Sequence, residues 1–465
     1  MKPRLLLVAP YGIALRDCLL NDRFSSYLRS NFTIDVYTEL RFSNPEEWGI
    51  DEVISLVPDS ATSRMMNRFN QRALSMRFRM DFKRFHDVVE APEMYSIWLG
   101  AVARSPTRDP RFETWNRIGK SLPGKLLHRV LDMMPNGRGG IGGALRKGRY
   151  DLVLLTHPTE GICTGVGVQA VKAGIPTACL VMGMDNLQGG PILMDPDLFL
   201  LWGADQAEWL HERHARFRPS LGNSNAAKIG SLSHDNIVLT VDPELFDQTY
   251  PHIGPESTVI TFATYTRRGD PGQVDACETI LEFFDESIPN GHLVVRVRPG
   301  LEEDYWYAFA AEHPGRVTVQ IPQGSFYSKW KRDIEIDRSI EEADVALYGE
   351  TLRRSSVVVT STFSTVYVDA YAAGTPAIAV GILPEDGDPY VRDTYAMYAR
   401  VLPYMGQIGL VTEKEELSDL LAAVLLEGRS GELLDRVGNI YAATAGMTDG
   451  KAGERAATAL DSLKD

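Results

Sequence analysis

The sequence has few cysteines and no long apolar run, and each shortage excludes a class of protein. The four cysteines among 465 residues form no CxxC pair; they are Cys18, Cys163, Cys179 and Cys277. They support neither a disulfide framework nor a zinc site, and they fit a reducing cytoplasm. No stretch approaches the roughly 20 consecutive apolar residues that a membrane-spanning helix needs.

A dinucleotide fingerprint is also missing, and so is the positive charge of a nucleic-acid-binding protein. No GxGxxG follows the first predicted strand, so we predict no dinucleotide site. The net charge of −14 makes general binding of nucleic acid a poor hypothesis. With 44% hydrophobic and 24% charged residues, the composition is that of a soluble globular protein with room for two domains.

The charge is unevenly distributed along the chain. Residues 61–150 carry 18 lysines and arginines against seven aspartates and glutamates, a local charge of +11 that leaves −25 for the rest. We predict a basic helical insertion over about residues 60–148. Its arginines and aromatic residues suit contact with anionic lipid headgroups or a lipid-linked acceptor. A helical cover over the first sheet with a solvated basic face is the alternative, and the sequence leaves both open.

The order of the predicted elements indicates an α/β fold. The N-terminus superficially resembles a signal peptide, but Pro10 and Gly12 interrupt its apolar run, so we predict a strand at 5–9. One helix over 14–30 and strands at 32–38 and 53–57 follow, which is the order of a parallel, doubly wound sheet. Further strands of this sheet are predicted at 150–156, 176–182, 197–202 and 226–229.

A second run of strands begins after a turn-rich connection at 243–255, where we expect the hinge between two domains. Strands are predicted at 258–263, 292–298 and 317–321, and the segment 347–354 leads into a strand at 357–359. The prediction is two Rossmann-like, doubly wound parallel-sheet domains that face a cleft. Residues 1–242 form the first domain and residues 256–448 the second. A helix at 449–465 follows, and the sequence leaves open whether it crosses back to the first domain.

The stretch from Ser355 to Gly381 has the most specific pattern. Three valines precede a cluster of hydroxyl side chains, and a helical pattern then ends at Gly374. The helix N-terminus offers unpaired N–H groups to an anion that the hydroxyls would surround. Ordinary capping by serine or threonine is the alternative, and the residues alone leave both open. The hydroxyls are those of Ser361, Thr362, Ser364 and Thr365.

This stretch resembles the nucleotide-sugar half of glycosyltransferase-B fold enzymes. The resemblance depends on Thr-Ser at 360–361, Ser-Thr at 364–365, the acidic Asp369 and Gly-x-Pro at 374–376. Bacterial surface-polysaccharide glycosyltransferases, CDP-glycerol phosphotransferases and the non-hydrolysing UDP-sugar 2-epimerases share versions of it. The resemblance implies that the hydroxyl loop holds the donor diphosphate and that Asp369 contacts the ribose.

Residues at two other predicted strand ends add to this donor site. Thr264 follows one strand, and Arg267 and Arg268 precede a helix N-terminus, where they would clamp a diphosphate. Arg296 and Arg298 end the next strand, and Arg-Pro here resembles the Lys-Pro, Arg-Pro or His-Pro that glycosyltransferase-B relatives carry near the nucleotide. For these arginines a solvated charge or a structural ion pair is the alternative.

The first domain shows a second resemblance. Asp-Asn-Leu at 185–187, Trp-Gly at 202–203 and Gly-Ser at 230–231 resemble uncharacterised surface-carbohydrate glycosyltransferases that carry Trp-Asp-Asn-Leu, with Met184 in place of the tryptophan. In such families this domain holds the acceptor. The acceptor-side residues that we infer from it are Asn186, Tyr11 and Gly12.

Glycosyl transfer has to stabilise the departing nucleotide diphosphate. Arginines, hydroxyls and helix N-termini do so without a metal. Asp386 and Asp388 form a DxD only in a second-domain loop, outside the context of a metal-held donor. We therefore predict no metal and no cofactor, with a nucleotide-diphosphate sugar as co-substrate.

An inverting transfer also needs a base near the acceptor hydroxyl. Asp185 is the first candidate, because it follows a central strand of the first domain, and His157 and Glu160 are the second. A turn-capping role for Asp185 is the alternative. A retaining mechanism needs no such base, so the stereochemistry stays open.

Three functions are compatible with the sequence. The first is a metal-independent glycosyltransferase that moves a sugar to a glycan or lipid-linked acceptor in surface polysaccharide or glycolipid synthesis. The second is a CDP-glycerol-type phosphotransferase or a UDP-sugar epimerase, and the third is a non-catalytic glycosyltransferase-like binding protein. The expected location is the cytoplasm, with peripheral contact at the inner face of the membrane left open.

Replacing Arg267 with alanine is expected to weaken donor binding by about 1 to 3 kcal/mol, because a hydrogen bond to a charged diphosphate is lost. Calorimetric titration with a nucleotide sugar measures this change. An unchanged affinity would remove Arg267 from the site.

Overall fold

The described chain is organised around two large parallel sheets. The computed structural model describes residues 2–38, 40–55, 85, 88, 145, 148–188, 190–264, 271–298, 303–324, 335–361, 364–382, 410–444 and 446–463. Nearly all of the basic helical insertion predicted over 60–148 therefore lies outside the described residues. The side chains of Phe85 and Leu145, which are described, are buried in a core with the first sheet.

The first sheet has seven described strands, all parallel, in the order β4-β2-β1-β5-β6-β7-β8. The strands up to residue 228 are β1 Arg4–Val8, β2 Thr33–Thr38, β3 Arg41–Phe42, β4 Glu52–Ser55, β5 Leu152–Leu155, β6 Thr177–Leu180, β7 Leu198–Leu201 and β8 Ala226–Lys228. Every residue of β5, β6 and β7 is buried. Apolar runs without alternation suit central parallel strands, which helices cover on both faces.

Helices connect these strands. They are α1 Gly12–Leu19, α2 Asp22–Asn31, α3 Gly161–Lys172, α4 Ala204–Glu208 and α5 Leu232–Leu239, with a π-helical turn at Trp209–His214 after α4. The prediction of one helix over 14–30 is wrong. Asn21 has extended backbone angles, and its side chain accepts the N–H of Phe24. This cap starts a second helix where apolar spacing alone indicated continuity.

The second sheet has six described strands, again all parallel, in the order β11-β10-β9-β13-β14-β15. Strands after residue 250 are β9 Thr258–Ala263, β10 Gly291–Arg296, β11 Val317–Gln320, β12 Glu335–Ile336, β13 Val357–Ser361, β14 Ala377–Val380 and β15 Leu410–Val411. The helices are α6 Leu245–Thr249, α7 Pro271–Ser287, α8 Glu303–Glu312, α9 Arg338–Arg354, α10 Thr365–Ala372, α11 Lys414–Leu425, α12 Ser430–Thr444 and α13 Ala452–Asp461.

Two helices of this part lie where none was predicted. The connection at 243–255 contains the helix α6, whose Phe246 is buried against Ile253. The helix α9 begins at Arg338, because the Asp337 side chain accepts the N–H groups of Ser339 and Ile340 and so caps its start. Both helices depend on local capping or packing that hydrophobic spacing does not report.

A small parallel sheet joins the two parts of the chain. Strand β3 pairs with β12, so that Arg41 lies opposite Glu335 and Phe42 opposite Ile336. The Ser43 N–H also donates to the Ile336 carbonyl at 3.1 Å. Ile336 is only 1% exposed and belongs to a hydrophobic core of the first sheet. Strand β12, which follows the edge strand β11 of the second sheet in the sequence, thus packs on the first domain.

The last helix, α13, packs on the first domain through Asp235. The Asp235 carboxylate is 3% exposed and accepts the N–H groups of Ala452 at 3.0 Å and Gly453 at 2.8 Å. It also accepts the Asn21 side-chain amide at 3.1 Å. A carboxylate at a helix N-terminus is favoured by the helix dipole. A Cβ at residue 453 would lie 2.2 Å from the Asn21 side-chain oxygen, so a larger residue there would displace the Asn21 side chain.

All four cysteines are buried as free thiols. Within the described ranges, no helix has the length and apolarity to cross a membrane.

Replacing Asp235 with alanine should lower the free energy of unfolding by about 3 kcal/mol, because three buried donors lose their acceptor. Urea denaturation measures this loss. The control is Glu454→Ala on the same helix, which removes an exposed ion pair with Arg23. The control should cost less than about 1 kcal/mol. Equal stability of the two variants would contradict the role of Asp235.

Candidate functional site

The second sheet brings predicted donor residues from three strands to one edge. Arg296 ends β10 and pairs in register with Ala263 at the end of β9, and Thr360 of β13 pairs with the same alanine. Thr264 directly follows Ala263 in the sequence, and Ser361 directly follows Thr360. Because the strands are parallel, these ends lie side by side, at the edge where ligands bind in open α/β sheets.

Two hydrogen bonds connect the tips of β9 and β10. The Thr264 N–H donates to the Arg296 carbonyl, and the Arg298 N–H donates to the Thr264 hydroxyl, both at 3.0 Å. The predicted donor residues Thr264, Arg296 and Arg298 therefore form one connected group. The predicted residues Arg267, Arg268 and Thr362 lie outside the described part of the chain.

The hydroxyl side chains after β13 lie in different environments. The Ser364 side chain accepts the Val366 N–H at 3.3 Å and caps α10. Ser361 is buried, whereas Thr365 is exposed at the first residue of the helix. Capping therefore accounts for Ser364 and not for Ser361 or Thr365.

The Arg296 side chain is held by two neighbours. Its Nη1 donates to Gln320 Oε1 at 2.7 Å, and its guanidinium carbon lies 4.1 Å from the centroid of the Tyr348 ring. Such stacking orients the guanidinium plane while leaving it charged. The structure therefore presents a preorganised cation next to the strand tips.

Asp369 lies in a polar cluster that joins the two domains. Its Oδ1 is 2.9 Å from His234 Nε2, and its Oδ2 accepts the Tyr348 hydroxyl at 2.8 Å. His234 Nδ1 is 2.5 Å from the Tyr441 hydroxyl. His234 belongs to α5 of the first domain, and the other three belong to helices of the second. We call these four residues, with Asp17 of α1, the interdomain cluster.

Asp17 adds a second carboxylate to this region. Burial raises the pKa of Asp17 to about 6, the neighbouring Arg16 opposes this shift, and the negative charge of Asp369 adds to it. The Arg16 Nε lies 3.5 Å from Asp17 Oδ1. Two carboxylates and an imidazole thus share one buried environment, and perturbed groups of this kind are frequent at functional sites.

Sequence reasoning did not assign Asp17, His234, Tyr348 or Tyr441 to the site. One pattern pointed to Asp17, since Arg16 and Asp17 stand among the apolar residues of α1 and charged residues are seldom buried. Tyr348 and Tyr441 have no local pattern of this kind. Tyr441 is 207 residues from His234 in the sequence, so only the fold brings them together.

The predicted acceptor-side residues follow adjacent strands of the first sheet, β1, β5 and β6. The Tyr11 ring after β1 makes an edge contact with the His157 ring after β5, with centroids 6.4 Å apart. Gly12 is buried at the start of α1. Tyr11 and His157 are therefore neighbours at the carboxyl edge of the sheet.

Both second-choice bases accept backbone N–H groups. Glu160 caps α3, since its Oε2 accepts from Ile162 at 2.5 Å and from Cys163 at 3.3 Å. His157 Nδ1 accepts from Thr159 at 3.3 Å, so the neutral ring carries its hydrogen on Nε2. Neither arrangement favours taking a proton from a substrate, and Asp185 is left as the better candidate.

The loop after β6 is closed by Asn186. The Asn186 Oδ1 accepts the Gly183 N–H at 2.7 Å, and its Nδ2 donates to Asp185 Oδ1 at 3.4 Å. The Asp185 carboxylate is half-buried and oriented by this neighbour. Met184, at the position of the tryptophan in the resembling sequences, is 3% exposed and packs in the core below the loop.

No group of three or more His, Cys, Asp or Glu side chains within the described ranges is arranged to hold a metal ion. The loop with Asp386 and Asp388 lies outside those ranges. Metal independence therefore stays a prediction.

No known family model matches the chain, and no curated protein matches its sequence. Solved structures do resemble it. S. aureus MnaA, solved with UDP, has a TM-score of 0.55 at 10% identity, over 99% of this chain and 96% of that one. The UDP-GlcNAc 2-epimerase of Neisseria meningitidis, bound to UDP-GlcNAc, has a TM-score of 0.51 at 14% identity over 100% of both chains. The chain has the glycosyltransferase-B fold.

The glycosyltransferase-B fold confirms the predicted architecture of two doubly wound parallel-sheet domains. A UDP-GlcNAc 2-epimerase is among the solved structures that share this fold. The likeness covers both sheets, because nearly the whole chain is aligned. At 10–14% identity it establishes the fold, and the activity has to be argued from the site.

The Asp17→Asn variant should become progressively more stable than the wild type as the pH rises from 4 to 7. The carboxyl group has a pKa of about 6 in the folded protein, against an ordinary value of 3.8. The folded state therefore binds more protons between these values, and the stability contributed by protonated Asp17 is lost as the pH rises through 6.

Asparagine does not titrate, so its stability relative to wild type should increase by on the order of 3 kcal/mol over this range. Urea denaturation at pH 4, 5, 6 and 7 measures the difference. A difference that is constant with pH would contradict the burial of an ionisable Asp17.

Proposed function

We propose that this chain is a metal-independent glycosyltransferase that uses a nucleotide-diphosphate sugar. The observation that carries the proposal is the convergence of Thr264, Arg296, Ser361 and the start of α10 at one edge of the second sheet. Hydroxyls, a guanidinium and a helix N-terminus are the groups that stabilise a departing diphosphate in the absence of metal.

The donor site on this proposal comes from the second domain. Arg267, Arg268, Arg298, Thr362, Ser364 and Thr365 complete the diphosphate site. Asp369 receives the ribose, since its carboxylate lies one helical turn beyond the hydroxyl cluster. Two proteins of the same fold were solved with UDP or UDP-GlcNAc, which supports a uridine nucleotide as the first donor to test.

The acceptor site on this proposal comes from the first domain, at the carboxyl ends of β1, β5 and β6. Asp185 is the proposed base for an inverting transfer, and Asn186, Tyr11 and Gly12 line the acceptor side. His157, with its hydrogen on Nε2, suits donation of a hydrogen bond to a substrate oxygen better than proton abstraction.

We also propose a location for the acceptor. Residues 61–150, with their local charge of +11, suit contact with a lipid-linked acceptor or with anionic lipid at the cytoplasmic face of a membrane. The proposed domain boundaries are 1–242 and 256–448, with 449–465 as the closing helix.

A UDP-sugar epimerase is the second candidate, since structural neighbours include an epimerase bound to UDP-GlcNAc. The two activities differ in their need for an acceptor. An epimerase converts a UDP-sugar alone, whereas a transferase releases UDP in proportion to glycosylated acceptor.

The experiment is a panel of nucleotide sugars, first screened by thermal stabilisation and then by turnover with and without bacterial glycan and lipid-linked acceptors. Acceptor-dependent release of nucleotide supports the transferase. Conversion without acceptor supports the epimerase. Binding with no turnover on any acceptor would favour the non-catalytic function, and absence of nucleotide binding would overturn the proposal.

Replacing Asp185 with asparagine should reduce transfer by about a hundredfold or more, because the general base is lost. Affinity for UDP should stay unchanged, since the diphosphate site lies on the other domain. The matched control is Glu208→Gln, an exposed carboxylate of the same domain, which should keep full turnover. Normal turnover of the Asp185 variant would eliminate it as the base.

A further inference from the structure

The Asp369 carboxylate is held by one donor from each domain. His234 of the first domain reaches Oδ1 at 2.9 Å, and Tyr348 of the second donates to Oδ2 at 2.8 Å. The His234 side chain is 2% exposed and the Asp369 side chain 13%. The imidazole is thus sealed in the interface, while the carboxylate keeps a small accessible surface.

Tyr441 determines which nitrogen of His234 carries the hydrogen. Burial, and then the negative charge of Asp369, raise the pKa of the Tyr441 hydroxyl, so it stays protonated. It can then donate to His234 Nδ1, 2.5 Å away, which leaves the imidazole hydrogen on Nε2. That nitrogen faces Asp369, so the hydrogen bonds run in one direction, from Tyr441 through His234 to the carboxylate.

The two donors leave part of the carboxylate available. An ionised carboxylate accepts about four hydrogen bonds, and His234 and Tyr348 account for two. The remaining capacity matches a group that donates two hydrogen bonds to adjacent oxygens, such as a vicinal diol.

Tyr348 also connects Asp369 to the diphosphate side of the site. Its hydroxyl donates to Asp369, and its ring lies under the guanidinium of Arg296 at 4.1 Å. One side chain therefore contacts both the Arg296 cation and the Asp369 carboxylate. In a nucleoside diphosphate, the ribose likewise carries the diphosphate at one end and the vicinal 2′,3′-diol at the other.

We propose that His234 is a positioning residue of the nucleoside site: from the first domain it fixes the Asp369 carboxylate of the second domain in the orientation that accepts the two ribose hydroxyls. This inference rests on the proposed use of a nucleotide-diphosphate donor. It makes recognition of the ribose dependent on the contact between the domains.

The test compares UDP with 2′,3′-dideoxy-UDP, which lacks both hydroxyls, by calorimetric titration. The wild type should bind UDP roughly tenfold more tightly, the usual effect of a hydrogen bond to a charged acceptor. His234→Phe should lose most of this discrimination by weakening UDP and not the dideoxy analogue. His234→Gln, whose amide can donate near the place of Nε2, should restore it to within about threefold of wild type.

A second variant keeps the test valid if His234→Phe does not fold. Tyr348→Phe retains the ring beneath Arg296 and removes only the hydroxyl, so it too should lower the discrimination between the two nucleotides. Arg338→Met is the control for general weakening of the domain contact, since Arg338 donates to the Glu47 carbonyl across the same boundary. It should lower the unfolding temperature and leave the ratio of the two affinities unchanged.

The outcomes separate this inference from the proposed function. Failure of the wild type to bind UDP or any other nucleotide would overturn the proposed function and the inference with it. UDP binding without discrimination against the dideoxy analogue overturns the inference alone. So does equal discrimination by wild type and His234→Phe, or an equal loss for both nucleotides.

Discussion

Both large sheets consist of parallel strands, and the rest of the structure depends on this constraint. In a parallel sheet every strand ends at the same edge, so residues far apart in the sequence become neighbours there. Ala263, Arg296 and Thr360 are in register although almost a hundred residues separate the first from the last. The same geometry sets Tyr11 beside His157 on the first sheet. Polar side chains at strand ends are therefore concentrated without any local motif.

The two domains meet through buried polar groups as well as apolar packing. Removing charged groups from water is costly, and such groups stabilise a fold only when their hydrogen bonds are satisfied. Asp235 meets this condition with three donors, whereas Asp17 meets it in part and has a raised pKa. A boundary built in this way specifies one relative position of the domains, because each polar group has a defined partner. Burial of the ionisable Asp17 side chain lowers the stability of the fold at neutral pH, which makes Asp17 a candidate functional residue.

Acidic residues after strand ends serve two purposes in this chain, and the sequence does not distinguish them. Glu160 and Asp337 both cap helices through the side chain. Asp369 is inside a helix and is oriented by His234 and Tyr348. Asp185 shares its loop with Asn186, which takes the turn-closing hydrogen bond from Gly183 and leaves Asp185 for other contacts. Burial and hydrogen-bond partners separate these roles where residue type and position look alike.

The sequence by itself determined the fold class and the positions of most strands, because valine and leucine runs and glycine turns are local features. The strand at Thr258–Ala263 matches the predicted bounds. It also indicated the polar loop after β13 and, through a family resemblance, singled out Asp369 in the helix that follows this loop. The caps at Asn21 and Asp337, which set the starts of α2 and α9, are local but are not visible in hydrophobic spacing. Only the tertiary structure decided that Tyr348 links Arg296 to Asp369. The interdomain cluster escaped prediction for a physical reason: its hydrogen bonds join residues up to 207 positions apart, and such contacts leave no periodicity in the chain.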